Sequence, residues 1–330
     1  MSTIEEVALH ANVSVATVSR VINNKGNVSD TTRQRVEAAI KELKYQPNAM
    51  GVLLRKERTE MVLVLLHSVD NPFFSSIVQG VEKVAHEHNY NVLISTTYGD
   101  QKREERYIKL LKHHFVDGVI LITNTLNPDE IVELSEQYPV AQVLEYVESP
   151  SLTHFSVDFY EAACQVMNHL INCGRTKIVF AHTGLNTIVS TQEKFKAYKD
   201  CCEKHHLPIL TTELKDYPFG FESGRTIAQE SLEQHPDVDA FFASSDLIAA
   251  GVMDYLNEKR ISIPDTISVA GFDNTIFSQL VSPKLTTVDL NGFAMGEEAM
   301  NFILNRLQNP DSSQKETKTF PIRIVKREST

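Results

Sequence analysis

Residues 14–24 read Ser-Val-Ala-Thr-Val-Ser-Arg-Val-Ile-Asn-Asn, a run of small hydrogen-bonding and apolar side chains around one arginine that suits the edges of DNA bases. With Ser14 as N-cap, a helix here buries Val18, Val21 and Ile22 and leaves Val15, Ala16, Thr17, Ser19, Arg20 and Asn23 exposed. Val15 and Ala16 offer apolar contact to thymine methyls, Arg20 reaches a guanine O6/N7 edge, and Thr17, Ser19 and Asn23 suit base or phosphate contacts. The flanking segments supply what must hold this helix. Thr3 and Glu6 stand at capping-box spacing, Ile4, Val7, Ala8 and Ala11 line one face of a first helix, and Asn12-Val13 allows a tight turn. After a stop at Asn24-Lys25-Gly26, a third helix capped near Ser29 or Asp30 puts Val36, Ala39, Ile40 and Leu43 in a small core. Three such helices form a helix-turn-helix head whose second helix enters the major groove. A helical hairpin used for protein contacts is the alternative reading.

Charge points the same way, weakly. Residues 1–60 hold nine Lys/Arg against seven Asp/Glu, and the remainder 23 against 36, within a total of −11. A mildly basic head and an acidic body suit a head that approaches phosphate while the body is repelled.

Beyond residue 59 the pattern becomes short apolar strands alternating with longer amphipathic stretches. Segments 61–66, 91–95, 118–123 and 140–144 read as buried parallel strands, with helices near 74–88, 101–114 and 128–137 between them. A second series places strands near 177–182, 208–214, 239–243 and 267–272 among helices near 159–173, 190–205, 222–234 and 247–259. About 270 residues exceed one ordinary α/β unit, so two doubly wound lobes are expected. A ligand then belongs in the cleft between them, contacted by strand-ending loops. Asp273, following Gly-Phe at the end of an apolar strand, is such a candidate.

Other chemistry is not supported. No phosphate-cradling glycine loop follows the first strand and no Gly-x-Ser-x-Gly elbow occurs, so no enzyme and no cofactor is expected. Cys164, Cys173, Cys201 and Cys202 lack metal spacing and read as reduced, packing thiols; His113-His114 and His205-His206 read as surface residues, so no metal is expected. There is no signal stretch and no run of eighteen apolar residues, which leads to the expectation of a cytoplasmic protein with no membrane partner. The chain ends at 326–330 directly after an apolar strand, without leucine heptads, so a dimer is expected rather than a tetramer joined by a tail.

Thr-Ile-Glu-Glu-Val-Ala at 3–8, Val-Ser-Val-Ala-Thr-Val-Ser-Arg-Val-Ile-Asn at 13–23, Val-Ser at 28–29 and Tyr-Gln-Pro-Asn-Ala at 45–49 closely resemble the lactose-repressor/galactose-repressor family. The likeness continues through Val-Asp-Asn-Pro-Phe-Phe at 69–74, Asp-Gly-Val-Ile at 117–120, Ala-Ser-Ser-Asp at 243–246, Ile-Ser-Val-Ala-Gly-Phe-Asp-Asn at 267–274 and Leu-Thr-Thr-Val at 285–288. It implies an α/β chain in three parts: a helix-turn-helix head at 1–46, a hinge and linker at 47–59, and a two-lobed body at 60–330 similar to periplasmic sugar-binding proteins. It also implies a homodimer whose heads bind near-palindromic operator DNA, usually to repress, with Asn48 among the DNA contacts and Leu54 wedged into the minor groove by a hinge helix at 47–55. About eight residues are too few to hold a helix alone in water, so the hinge should order only on a partner surface. Gly51 stands where the family usually has alanine, costing that helix up to about 1 kcal/mol, and Val52 replaces a commonly polar residue.

In the body the resemblance implies that Phe73 and Phe74 wall the cleft and Phe219 stacks on the ligand. Asp273 then accepts hydroxyl donors, and Asp158, Ser190, Lys194 and Ser245 add polar contacts. For each phenylalanine ordinary core packing is the alternative, and for Lys194 a solvent-facing position. The family usually has arginine at 194 and asparagine at 245, and a lysine lacks the planar fork. A sugar, a sugar phosphate or a purine all remain open as effector. Its binding is expected to move the first lobes and the two hinges, a coupling of about 1–3 kcal/mol, roughly 5- to 150-fold in operator affinity. Some relatives respond instead to a phosphorylated carrier protein docked on the first lobe. A soluble carbohydrate receptor or carbohydrate enzyme fits 60–330 but leaves the first fifty residues without a purpose.

Overall fold

The computed structural model describes residues 2–23, 26–45, 58–183, 188–214, 219–310 and 315–330. The chain divides into two compact units, Met1–Thr59 and Glu60–Thr330.

In the first unit, α1 (Ile4–His10), α2 (Val15–Ile22) and α3 (Asp30–Glu42) surround Val7, Val18 and Val36, each fully buried. The starts are set by side chains. Thr3 and Glu6 close a reciprocal capping box, Ser14 Oγ accepts the Thr17 N–H at 3.2 Å, and Ser29 caps α3. Asn12 turns the chain at φ +49°, and Arg35 from α3 donates to the carbonyls of Ala11 and Asn12, neutralising the end of α1. Ile22, Ile40 and Leu43 reach this core only from its half-buried margin.

The second unit holds two parallel sheets, as apolar strands joined by helices require. The first has the order β11-β5-β4-β3-β1-β2, from β1 (Met61–Leu66), β2 (Asn91–Thr96), β3 (Gly118–Leu121), β4 (Val140–Val143), β5 (His154–Val157) and β11 (Thr317–Phe320). The second has the order β7-β6-β8-β9, from β6 (Ile178–Thr183), β7 (Leu210–Leu214), β8 (Ala240–Ala243) and β9 (Ser268–Ala270). A short antiparallel pair joins β10 (Thr287–Asp289) to β12 (Arg323–Val325). Between strands run α4 (Pro72–Glu87), α5 (Gln101–Lys112), α6 (Pro128–Gln137), α7 (Phe159–Asn172), α8 (Val189–Lys204), α9 (Phe221–Gln234), α10 (Asp246–Glu258), the single turn α11 (Phe277–Leu280) and α12 (Gly292–Gln308).

Three features depart from expectation. Segment 91–95 is not a buried strand: β2 lies at the sheet edge with β1 as its one neighbour, and Ile94 is 46% exposed. Strands β5 and β11, unread from the sequence, widen the first sheet from four to six. After β10 the chain returns to the first half, where α12 packs on α4 so closely that a Cβ on Gly80 would lie 2.0 Å from the Phe293 carbonyl oxygen. Gly296 makes the reciprocal approach to Ile77, so the crossing needs two glycines. The same device joins α9 to α10, where a Cβ on Gly224 would lie 2.1 Å from the Ile248 oxygen.

Candidate functional site

In the head, α2 presents Val15 (40% exposed), Ala16, Arg20 and Asn23 to solvent, with Thr17 and Ser19 half-buried. Thr17 Oγ1 pairs with Ser14 Oγ at 2.9 Å and Asn23 Nδ2 donates to the Ser19 carbonyl at 2.7 Å, so both side chains are held along the helix. No acidic residue stands in the first turn, which leaves the N-terminal dipole open to phosphate. Asn48, Gly51, Val52 and Leu54, with the hinge expected at 47–55, lie outside the described residues.

In the body, polar side chains converge from the carboxyl ends of strands in both sheets. Lys194 is the hub. Its helix buries Ser190, Thr191, Lys194, Ala197, Tyr198 and Cys201 along one stripe, so the lysine points inward and is 5% exposed. Nζ donates to the Ser244 carbonyl at 3.0 Å and lies 4.0 Å from the Phe272 ring centroid and 5.4 Å from that of Phe159. The solvent-facing alternative for this lysine is thereby overturned. Burial lowers its pKa, opposed by Asp273, Glu145 and Asp246.

Each of these carboxylates is held differently. Glu145, two residues beyond β4, accepts the Ser190 N–H at 3.1 Å across the two halves; burial raises its pKa and Ser190 and Lys194 offset part of the rise. Asp246 is fully buried and accepts the Thr275 N–H at 2.6 Å, Thr275 Oγ1–H at 3.0 Å and Thr287 Oγ1–H at 2.5 Å, yet burial still lifts it to about 6. Asp273 is half-buried at φ +104° and takes a hydrogen bond from the Asn71 amide of the first half. Burial lifts it to about 8, with Lys194 pulling down and Asp246 pushing up. Asn71 is free to do so because its other atom, Oδ1, caps α4 by accepting the Phe73 N–H at 3.0 Å.

Of the residues expected at the cleft, Ser190, Lys194 and Asp273 are thus brought together. Ser245 lies buried beside them, its Oγ accepting the Ile248 N–H at 3.3 Å as the cap of α10. Phe73 is 4% exposed and packed in the core against the start of α12, with Phe74 half-buried at its margin. Asp158 is exposed as the cap of α7, and with Glu148, Glu193 and Glu145 it surrounds the Tyr146 hydroxyl, whose pKa is raised by burial and then by these carboxylates. Phe219 is 39% exposed ahead of α9. Sequence reasoning missed Asn71, Glu145 and Asp246. Glu145 sits just past an apolar strand, and Asp246 follows Ala-Ser-Ser at the end of another, so the strand-end rule already applied to Asp273 contained the signal.

Among the described residues no helix is long and apolar enough to cross a membrane. Cys201 and Cys202 are buried with thiols pushed up by burial to about 12 and about 11, and Cys201 Sγ lies 3.8 Å from Cys164 Sγ.

Residues 3–48 match the family of bacterial regulatory proteins, lacI family, and residues 167–330 match a periplasmic binding protein-like domain. The chain is 32% identical to the NTD biosynthesis operon regulator NtdR of Bacillus subtilis (strain 168), covering 100% of both. A crystal structure of a LacI family transcriptional regulator from Silicibacter pomeroyi superposes with a TM-score of 0.86 at 27% identity, covering 100% of this chain and 99% of that one. The regulator CelR in complex with cellobiose superposes at 0.73 and 26% identity, covering 100% of both. Identity at this level over the full length, with the head and the two-sheet body in the same order, establishes that the chain belongs to the lacI family of bacterial regulatory proteins and is a DNA-binding transcriptional regulator, not an enzyme.

Proposed function

We propose that the chain works in the cytoplasm as a homodimeric repressor. Two α2 helices would read a near-palindromic operator through Val15, Ala16, Thr17, Ser19, Arg20 and Asn23, helped by Asn48 and Leu54 of a hinge at 47–59. An uncharged sugar or sugar derivative binding Asp273, Ser190, Asp158 and Ser245, with Phe219 and the half-buried Phe74, would change operator affinity. The observation that carries this reading is the charged cluster spanning both halves of the body at the strand ends, in a chain that begins with a helix-turn-helix head. Cellobiose in the CelR complex supports the sugar class.

Charge narrows the ligand further. Lys194 is shared by three acidic groups, Asp273, Glu145 and Asp246, with Arg327 acting on Asp246 alone. A sugar phosphate would bring a dianion into a buried site that already pushes its own acids toward their neutral forms, at a desolvation cost that a shared lysine does not offset. Hydroxyl donors fit the carboxylates directly. The dimer is supported by apolar surface that a second copy would cover: Ile94 on edge strand β2, Tyr98 (54% exposed), Ile276 (51%) and Leu280 (70%).

Operator binding by the full chain and by a chain starting at Glu60, with and without a panel of neutral sugars and sugar phosphates, tests the reading. Binding by the full chain alone, weakened or strengthened by a neutral sugar, is expected. Equal DNA affinity of both chains would end the proposal.

A further inference from the structure

Residues 327–330 are stitched to the free edge of the second sheet at β9. Ser329 is fully buried: the Val269 N–H donates to its carbonyl at 2.9 Å, its Oγ–H donates to the Val269 carbonyl at 2.6 Å, and the Thr286 N–H donates to its Oγ at 2.8 Å. Thr330 Oγ1 lies 2.8 Å from His169 Nε2 and 2.8 Å from Thr286 Oγ1. Within this anchored segment Arg327 is half-buried. Its N–H donates to Thr286 Oγ1 at 2.9 Å, Nη1 to the Leu285 carbonyl at 2.7 Å and Nη2 to Asn274 Oδ1 at 2.7 Å. A planar fork anchored at one end and reaching two separate segments fixes their spacing in a way that a point charge would not.

The loop it reaches is conformationally costly. Asp273 and Asn274 both have positive φ; the +51° of Asn274 is one that asparagine adopts readily, whereas the +104° of Asp273 is kept only where its surroundings over-determine it. Neighbouring groups hold it in place. Asp273 N–H donates to the Val288 carbonyl at 3.0 Å, Asn274 N–H to Thr287 Oγ1 at 3.2 Å, and Thr275 N–H and hydroxyl to Asp246. All of these act on backbone or on Thr275. Arg327 and the longer 3.4 Å contact from Ser278 Oγ are the ones that grip the Asn274 side chain, and the Arg327 charge also steadies Asp246 beneath the loop.

We propose that Arg327 is a positioning residue of the effector cleft: by tying Asn274 to Leu285 it locks the left-handed pair so that the Asp273 carboxylate is held against Asn71 and Lys194. The C-terminal segment is then a strap on the ligand-binding loop as well as an edge of the fold. The inference rests on the cleft being the effector site, but its test needs no effector.

Hydrogen exchange of the full-length protein would be compared for the parent, Arg327→Gln, Asn274→Gly and the double variant. Asn274→Gly removes the acceptor while keeping a residue at ease with positive φ. Each single change is expected to speed exchange of the 273–275 amides about tenfold, with β6 and β8 unchanged. At the 273–275 amides the double change should add nothing to Arg327→Gln, since that change already breaks the Arg327–Asn274 tie that Asn274→Gly removes. Arg327→Lys, which keeps the charge but not the fork, should restore only part of the protection. Carbon-13 NMR of the aspartate carboxyls supplies a readout that tail anchoring alone would not move. An unlocked Asp273 gives up the Lys194 and Asn71 contacts that lower its midpoint but also the burial that raises it, and burial is the larger effect, so the midpoint of about 8 should fall in both single variants.

Faster exchange confined to 284–288 and 326–330, additive effects, or an unmoved Asp273 midpoint would overturn the proposal. Should Arg327→Gln fail to fold, Asn274→Gly decides alone. A result in which every sugar of the panel leaves DNA binding unchanged while the exchange pattern holds would remove the effector reading and keep the strap.

Discussion

Replacing Lys194 by methionine isolates the cation on which the body's charged cluster depends. Methionine fills a similar volume between the Phe272 and Phe159 rings, so packing is largely kept. What is lost is the donor to the Ser244 carbonyl, leaving a buried oxygen unpaired at a cost of about 1–3 kcal/mol, and the counter-ion of Glu145, Asp246 and Asp273. Removing one partner of a buried charge pair typically costs about 3–5 kcal/mol, and the ammonium that no longer has to be desolvated returns part of it. A loss of about 3 kcal/mol at pH 8 is expected. The penalty depends on pH with a definite sign. Asp273 at about 8 and Asp246 at about 6 lie above their unfolded values, so between about pH 4 and pH 8 the folded chain binds more protons than the unfolded one. Stability contributed by these groups is present at low pH and lost as pH rises through the folded pKa values. Without Lys194 they rise further, and one extra retained proton steepens the fall by about 1.4 kcal/mol per pH unit. From pH 6 to pH 8 the methionine variant should therefore lose about 1–3 kcal/mol more than the parent. The chain has no tryptophan, so urea unfolding of both proteins would be followed by circular dichroism at the two pH values. An equal penalty at both, or one below about 1 kcal/mol at pH 8, refutes the counter-ion argument.

Three further outcomes follow from named contacts. Asp273→Ala should abolish the response of operator binding to a sugar that acts on the parent and leave basal DNA affinity within about twofold, because the head forms its own core; normal induction would remove Asp273 from the site. Arg20→Ala should lower operator affinity and relax preference at one base pair by about 1–3 kcal/mol, read by binding to single-base operator variants, whereas a uniform loss makes it a phosphate contact. Gly224→Ala forces a Cβ to within 2.1 Å of the Ile248 oxygen and should cost at least about 1–3 kcal/mol by pushing α9 off α10, seen as a lowered melting temperature with DNA contacts untouched.

Some of this organisation is written within a few residues of where it appears. The Thr3/Glu6 box, the Ser14 and Ser29 caps and the helical spacing of Ile4, Val7 and Ala8, of Val18, Val21 and Ile22, and of Val36, Ala39 and Ile40 each belong to a single helix, and the head follows from them. In the body, strand and helix positions read well for the same reason. The edge position of β2 did not, since its apolar composition matches that of a central strand and only the missing neighbour distinguishes them. Phe73, expected by resemblance at the cleft wall, packs in the core, a difference that aromatic chemistry alone does not encode. Lys194 was ambiguous until its stripe of Ser190, Ala197 and Cys201 was seen to face inward.

Local periodicity and capping decide which elements exist, because those forces act between neighbours in the chain. The pairing of elements is another matter. The Ser190 N–H meets Glu145 across 45 residues and Thr287 meets Asp246 across 41, and α12 and β11 return to a sheet begun more than two hundred residues earlier. Such contacts depend on loop closure and on which faces bury together, and no window of sequence contains both partners. The reading helix could therefore be named from eleven consecutive residues, whereas the cluster of one lysine and three carboxylates required the folded body to assemble it.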